Sequence, residues 1–71
     1  METTPRPDGS KIEDLRWERR LRRTELAERA GIARQTLNRI IRGTRGASLE
    51  VQRSIAGALE VPVEEIQERQ S

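Results

Sequence analysis

The chain has 71 residues, of which 32% are hydrophobic and 37% are charged, and its formal net charge is +2. It contains no cysteine and no histidine, which excludes disulfide bonds, thiol chemistry and the usual zinc sites. A chain this short forms at most one small domain, whose core is too small to enclose a sizeable ligand cavity. No apolar stretch has the length of a membrane span or the character of a signal peptide, so we expect a cytoplasmic protein.

The small net charge hides an uneven distribution along the chain. Residues 1–15 carry a net charge of −2, residues 16–45 a net charge of +7, and residues 46–71 a net charge of −3. Thirteen of the basic residues are arginine, whose forked guanidinium forms paired hydrogen bonds with phosphates and guanines. An arginine bias is also typical of a GC-rich genome, but a basic middle third favours a polyanionic partner.

Apolar residues at helical spacing predict an all-α domain at residues 11–71, a compact bundle of about five helices, after a flexible arm at residues 1–10. The predicted helices span residues 11–20, 23–30, 33–42, 48–59 and about 62–69. Ser10 and Ser48 are predicted to cap the first and fourth helices, and Pro62 to open the fifth.

The predicted core is aliphatic and contains no aromatic cluster. Its members are Ile12, Leu15, Leu26, Ala27, Ala30, Leu37, Ile40, Ile41, Leu49, Ile55, Ala56 and Leu59. Glycine inside a helix costs about 1 kcal/mol relative to alanine. Gly57, inside the fourth helix, therefore predicts that a neighbouring helix approaches too closely there for a side chain.

Residues 23–42 contain two short helices joined at Gly31, and the second helix is amphipathic and basic. This arrangement defines a helix-turn-helix. Gly31 can adopt the left-handed backbone that such a turn needs, and the small Ala27 lets the second helix cross closely. The outward face of the second helix carries Arg34, Gln35, Asn38, Arg39 and Arg42. A helix of this diameter fits the major groove of B-form DNA, and these side-chain types read base edges.

Residues 12–66 resemble the Cro/repressor-type helix-turn-helix family, also called the xenobiotic-response-element family, of bacterial and phage regulators. The matching residues are Leu15-Arg16, Leu26-Ala27, Ala30-Gly31-Ile32, Thr36-Leu37, Arg39-Ile40, Gly43, Leu59-Glu60-Val61 and Glu65-Ile66. The resemblance implies a lambda-repressor-like bundle with double-stranded DNA as its partner. It also implies sequence-specific operator binding in transcription regulation, commonly by a homodimer and commonly as a repressor.

The resemblance implies a role for each polar residue around the helix predicted at residues 33–42. The residues that would contact bases are Arg34, Gln35, Asn38 and Arg39. The residues that would contact the DNA backbone are Arg23, Arg42, Thr44 and Arg45. No cofactor and no metal ion is implied.

Some positions depart from the family pattern. Arg22 and Ala33 stand where a Ser or Thr cap is common, and the loss of such a cap costs about 1 kcal/mol. Arg20 stands where the loop before the second helix often has glycine. In the family, the arginine that corresponds to Arg16 often pairs with an acidic residue near the end of the third helix, but this chain has Ile41 there. Arg16 must therefore find another partner, remain exposed or join the phosphate-facing surface.

The alternative function is an antitoxin or another protein-interaction module built on the same fold. Trp17 lies off the apolar stripe of the first helix, where it packs against the arm or contacts a partner. RNA binding is less favoured because no aromatic stacking surface exists. We expect no enzyme activity, because no acid/base or nucleophile constellation can be assembled. For a homodimer, the predicted contact surface lies near residues 61–66 and the C-terminal end.

Overall fold

The computed structural model of the chain describes residues 5–68, which form four α-helices and a short C-terminal 3₁₀ turn. The elements are α1 (Gly9–Glu18), α2 (Arg23–Ala30), α3 (Arg34–Arg42), α4 (Leu49–Leu59) and the 3₁₀ turn (Val63–Ile66). The predicted all-α bundle is confirmed. Across residues 5–68, none of the helices combines the length and the apolar character that crossing a membrane would require.

The prediction of a fifth α-helix is wrong, because this segment forms a single 3₁₀ turn of four residues. Pro62 precedes this turn as predicted. The turn ends early because the backbone becomes extended at Gln67 and pairs there with Pro7 near the other end of the chain. Residues 69–71, which include the predicted end of this helix, lie outside the described residues.

The start of α1 also differs from the prediction, because the helix begins at Gly9 and is capped by Asp8 instead of Ser10. The Asp8 carboxylate accepts hydrogen bonds from the backbone N–H groups of Ser10 and Lys11, at 3.0 and 3.2 Å. An aspartate placed there satisfies two of the N–H groups that a helix start leaves without partners.

The segment before α1 pairs with the segment after the 3₁₀ turn. The Asp8 N–H donates to the Ile66 carbonyl at 2.7 Å, and the Glu68 N–H donates to the Arg6 carbonyl at 2.8 Å. Pro7, between these two bonds, is buried. Of the arm predicted at residues 1–10, residues 5–8 thus lie against the domain, residues 9 and 10 belong to α1, and residues 1–4 lie outside the described residues.

The core forms where α2 packs against α3 and α4, and it is closed by α1 and the 3₁₀ turn. Its buried apolar members are Ile12, Leu21, Leu26, Ala27, Ala30, Leu37, Ile40, Ile55, Ala56, Leu59 and Ile66. Leu15 and Ile41, which were predicted as core, are partly buried at its edge, and Leu49 is half-buried. Leu21 and Ile66 were not predicted as core residues. Leu21 lies between two predicted helices, and no buried side was assigned to the predicted fifth helix, which contains Ile66.

The close backbone approach predicted at Gly57 is wrong. Gly57 is exposed, and nothing lies within 4 Å of a Cβ placed there. The close approach occurs at Gly9, where a Cβ would collide with the backbone carbonyl of Ile41. The first turn of α1 therefore lies in backbone contact with the last turn of α3.

Gln52 of α4 is fully buried and joins three segments of the chain. Its Nε2 donates to the carbonyls of Pro5 and Ala47, at 2.7 and 2.9 Å, and its Oε1 accepts from Gln67 Nε2 at 2.9 Å. Both of its polar atoms have partners, so the side chain is buried without an unsatisfied group. Gln52 thereby fixes the segments at Pro5 and Gln67 to α4.

Candidate nucleic-acid interface

The turn between α2 and α3 sets the direction of α3. Gly31 has a φ of +71°, in the left-handed region, as predicted. The Gly31 N–H donates to the Glu28 carbonyl at 3.1 Å, and the Ile32 N–H donates to the Ala27 carbonyl at 3.0 Å. This is a Schellman motif, which satisfies the last carbonyls of α2 and turns the chain sharply into α3.

The starts of α2 and α3 have no side-chain cap at the preceding residue, in agreement with the sequence. Ala33, before α3, offers no hydrogen-bonding side chain. Arg22, before α2, has a guanidinium that can only donate, but its backbone N–H is satisfied by the Glu25 carboxylate at 3.0 Å. Glu25 thus replaces part of the missing cap of α2.

One side of α3 is buried and the opposite side is polar. Leu37 and Ile40 lie in the core, with at most 1% of their surface exposed. The polar side comprises Arg34, Gln35 and Arg39, which are exposed, and Asn38, which is half-buried. At about 100° per residue, these four side chains cover roughly 140° of the helix, centred opposite Leu37 and Ile40. We call this set of four residues the reading face.

The end of α3 leads into a loop with more exposed polar residues. Gly43 has a φ of +80° and ends the helix as predicted. Arg42, Thr44 and Arg45 are exposed. The Thr44 N–H and hydroxyl both donate to the Arg39 carbonyl, at 3.1 and 3.2 Å, so Thr44 closes the last turn of α3. These three residues lie next to the C-terminal end of the reading face.

Arg23, the first residue of α2, contacts both α1 and α3. Its Nε and Nη2 donate to the two oxygens of the Glu13 carboxylate, each at 3.3 Å, and its Nη1 donates to Asn38 Oδ1 at 3.3 Å. The structure therefore brings together Arg23 and Asn38, which were predicted to contact the DNA backbone and a base. Glu13 joins them and was not predicted as a site residue.

Arg16 finds its partner in Glu13, one turn earlier on α1. Its Nε and Nη2 donate to the Glu13 oxygens at 2.7 and 2.9 Å, and its Nη1 donates to the Leu21 carbonyl at 2.8 Å. The side chains of Arg16 and Glu13 are 11% and 22% exposed. The Arg16 hydrogen bond, opposed by burial and reinforced by Arg23, lowers the pKa of Glu13 from 4.5 to about 2.

The Glu13–Arg16 spacing of three residues on one helix is visible in the sequence and could have indicated this pair. The approach of Arg23 could not have been read from the sequence, because it depends on how α2 packs beside α1. Glu13 is thus held ionised between two guanidinium groups.

The helix-turn-helix family HTH_3 matches residues 12–66, from the buried Ile12 of α1 to Ile66 at the end of the 3₁₀ turn. The chain belongs to the HTH_3 family. This membership confirms the predicted resemblance and, with it, a DNA-binding regulator of transcription. Among curated protein sequences, none matches this chain significantly.

Solved structures of similar HTH domains come from several regulators. The restriction-modification controller protein C.AhdI from Aeromonas hydrophila is 30% identical, with a TM-score of 0.78 over 80% of this chain and 86% of that chain. The N-terminal DNA binding domain of SinR from Bacillus subtilis is 29% identical, with a TM-score of 0.77 over 89% and 94%. The clp gene regulator ClgR from C. glutamicum is 26% identical, with a TM-score of 0.75 over 80% and 74%.

Proposed function

We propose that this HTH_3 domain is a sequence-specific transcription regulator that binds double-stranded DNA in the cytoplasm as a homodimer and acts as a repressor. The observation that carries this proposal is the reading face of α3. It presents arginine and amide side chains on the side of the helix opposite Leu37 and Ile40, which are buried. An α-helix with such a face fits the major groove, where guanidinium and amide groups distinguish base pairs.

Within this proposal, each residue of the reading face contacts a base edge. Arg34 and Gln35 are exposed in the first turn of α3, and they contact the first bases because recognition helices contact bases through their N-terminal residues. Arg39 and Asn38 lie one turn further along and reach the next base edges. Each well-placed pair of hydrogen bonds contributes about 1–3 kcal/mol of discrimination against the wrong base.

The DNA backbone is held at both ends of the reading face. Arg23 lies at the start of α2, and Arg42, Thr44 and Arg45 lie after the last buried residue of α3. Arginine contacts to phosphate position the domain and supply affinity that does not depend on sequence. The similar structures support DNA binding by a regulator and do not bear on individual contacts: the SinR structure is named a DNA binding domain, and C.AhdI and ClgR are named a controller and a regulator.

A homodimer places two copies of α3 in successive major grooves, about 34 Å apart, so that each copy reads half of a palindromic site. The predicted dimer surface is narrower than residues 61–66, because Ile66 is fully buried. Val61 and Val63 are half-buried, and Glu64 and Glu65 are exposed. Together with Pro62, which is also exposed, these residues are what the described part of this surface offers to a second copy, and residues 69–71 lie outside the described residues.

The alternative, an antitoxin or another protein-interaction module, is supported by one observation. Trp17 is 69% exposed, with the Arg16 guanidinium 5.1 Å from the centre of its ring. A single indole covers much less area than a stable protein interface needs. DNA binding is therefore the stronger proposal.

Selection of binding sites from a random duplex pool tests the proposed function. We expect the wild-type protein to recover two half-sites whose centres are separated by about 10 base pairs, one helical turn. Arg34→Ala and Gln35→Ala should change the preferred bases at one or two positions, because each removes hydrogen bonds to a base edge. Arg45→Ala is the control, and it should weaken binding to all sequences alike.

Two results would contradict this proposal. Recovery of no common site by the wild-type protein would exclude sequence-specific DNA binding. A selected profile that Gln35→Ala leaves unchanged would show that the start of α3 does not read bases.

A further inference from the structure

The hydrogen bond between Arg23 and Asn38 determines which way the oxygen and the nitrogen of the Asn38 amide point. A guanidinium carries five N–H donors and no acceptor, so the group 3.3 Å from Arg23 Nη1 must be the Asn38 oxygen. The Nδ2 amide of Asn38 is consequently turned away from Arg23. Within residues 5–68, Asn38 Nδ2 donates no hydrogen bond, and only the oxygen of the side chain is bonded.

Arg23 can fix the Asn38 amide because Arg23 is itself held from the other side. Both oxygens of Glu13 accept from Arg23, at 3.3 Å, and Glu13 is in turn fixed by the shorter bonds of Arg16. The Arg23 side chain remains 40% exposed, so part of its guanidinium stays accessible at the surface. The chain of contacts thus runs from α1, through the start of α2, to the reading face of α3.

We propose that Glu13 and Arg23 position Asn38 as a hydrogen-bond donor that selects guanine over adenine. The proposal rests on the proposed function, in which α3 lies in the major groove. An asparagine that reads adenine uses its oxygen to accept from the adenine amino group and its nitrogen to donate to N7. The Asn38 oxygen is already directed at Arg23, so the amide presents its N–H donors to the DNA.

Guanine is the base that suits such a donor best. Its major-groove edge carries two acceptors, N7 and O6, whereas adenine places an amino donor beside its single acceptor. Cytosine presents an amino donor to the Asn38 donors and is disfavoured for the same reason. Glu13 and Arg23 are positioning residues in this scheme, because they act on the base only through Asn38.

The test begins by finding the base pair that Asn38 reads. Selected sites are compared for the wild-type protein and Asn38→Ala, and the position that loses its preference in this variant is assigned to Asn38. Duplexes with guanine or adenine at that position then compete for each protein. We expect the wild-type protein to prefer guanine by about five- to tenfold, the lower end of the discrimination that one good base contact supplies.

Arg23→Ala frees the Asn38 oxygen, and the preference for guanine over adenine should then fall to about twofold or reverse. Glu13→Gln weakens the hold on Arg23 and should reduce the same preference at the same position. Arg22→Ala is the matched control, because it removes an equal charge from the adjacent exposed residue. It should lower affinity and leave the ratio of guanine to adenine binding unchanged. Circular dichroism spectra identify any variant that fails to fold.

The outcomes separate this proposal from the proposed function. If Arg23→Ala weakens binding to both duplexes equally, Arg23 is a phosphate contact alone and the proposal is wrong. If Asn38→Ala changes no position in a site that the wild-type protein selects, Asn38 reads no base and the proposal is also wrong, while sequence-specific DNA binding by the other residues of the reading face stands. If the wild-type protein selects no site, both fail.

Discussion

The carboxylate of Glu13 lies between the guanidinium groups of Arg16 and Arg23, and its pKa falls from 4.5 to about 2. Because the pKa in the folded chain lies below that of the unfolded chain, Glu13 stabilises the fold above about pH 5. This stabilisation is lost as the pH falls from about 5 towards 2. The side chain is 22% exposed, so solvent screening limits the contribution to about 1–2 kcal/mol.

We therefore expect the wild-type protein to be more stable than Glu13→Gln at pH 7 by about 1–2 kcal/mol, and this difference should shrink between pH 5 and pH 2. Urea unfolding at a series of pH values measures it. The comparison with Glu13→Gln isolates Glu13 from the other carboxylates. Stability curves that run parallel over this pH range would show that the ion pairs of Glu13 contribute nothing to folding.

Arg20 has a φ of +53°, in the left-handed region that favours glycine. A side chain in this left-handed region costs about 1–2 kcal/mol, which glycine would avoid. The greater freedom of glycine in the unfolded chain cancels part of this gain. We expect Arg20→Gly to raise the free energy of unfolding by up to about 1 kcal/mol. Thermal unfolding measures this change.

Arg19→Gly is the control for Arg20→Gly. It removes the same charge from a residue with a φ of −92°, so it should lower the stability. If the two variants are destabilised alike, the left-handed backbone of Arg20 carries no strain.

At the scale of elements, α1 and α3 meet through backbone atoms at Gly9 and Ile41. A methyl group at Gly9 would collide with the Ile41 carbonyl, and backbone cannot move aside as a flexible side chain does. We expect Gly9→Ala to lower the free energy of unfolding by about 1–3 kcal/mol. Gly57→Ala is the matched control, because Gly57 is exposed with nothing within 4 Å of an added Cβ.

Gly57→Ala should raise the free energy of unfolding by about 0.5–1 kcal/mol through helix propensity. Urea unfolding of both variants distinguishes the two effects. If Gly9→Ala also stabilises the protein, α1 does not approach α3 as closely as described.

The helix-turn-helix also illustrates how elements can be predicted from short-range signals. The bounds of α2 agree with the prediction, and α3 starts one residue later than predicted. Gly31 and Gly43 end these helices in left-handed conformations, and Ser48 caps α4 by accepting from the Val51 N–H at 3.3 Å. Each of these features depends on residues within one or two turns of one another, so the local pattern is sufficient.

At the scale of the whole molecule, the positive charge of the chain is concentrated in residues 16–45, which carry a net charge of +7. These residues contain α2, α3 and the proposed backbone contacts. Three arginine contacts to phosphate, from Arg23, Arg42 and Arg45, predict a slope of log K against log salt of about −3 per domain. A dimer should double this value.

Titration of a selected duplex at several salt concentrations measures the slope. Arg45→Ala should make the slope shallower by about 1 per domain. Arg53→Ala, an exposed arginine on α4 outside the proposed interface, should leave it unchanged. A flat slope for the wild-type protein would exclude DNA as the main partner.

The sequence by itself determined the all-α class, the helix-turn-helix and the polar face of α3. These follow from helical periodicity, glycine turns and the placement of arginine and amide residues, all of which act over a few residues.

Only the tertiary structure decided how these parts are joined. Arg23 reaches Glu13 and Asn38 across 10 and 15 residues of sequence, and Gln52 reaches the Pro5 carbonyl across 47. Gly9 meets Ile41, and Pro7 pairs with Gln67. No local pattern encodes such contacts, because they arise from the packing of whole helices. The polar face of α3 could therefore be predicted, while the contacts that orient Asn38 within it could not.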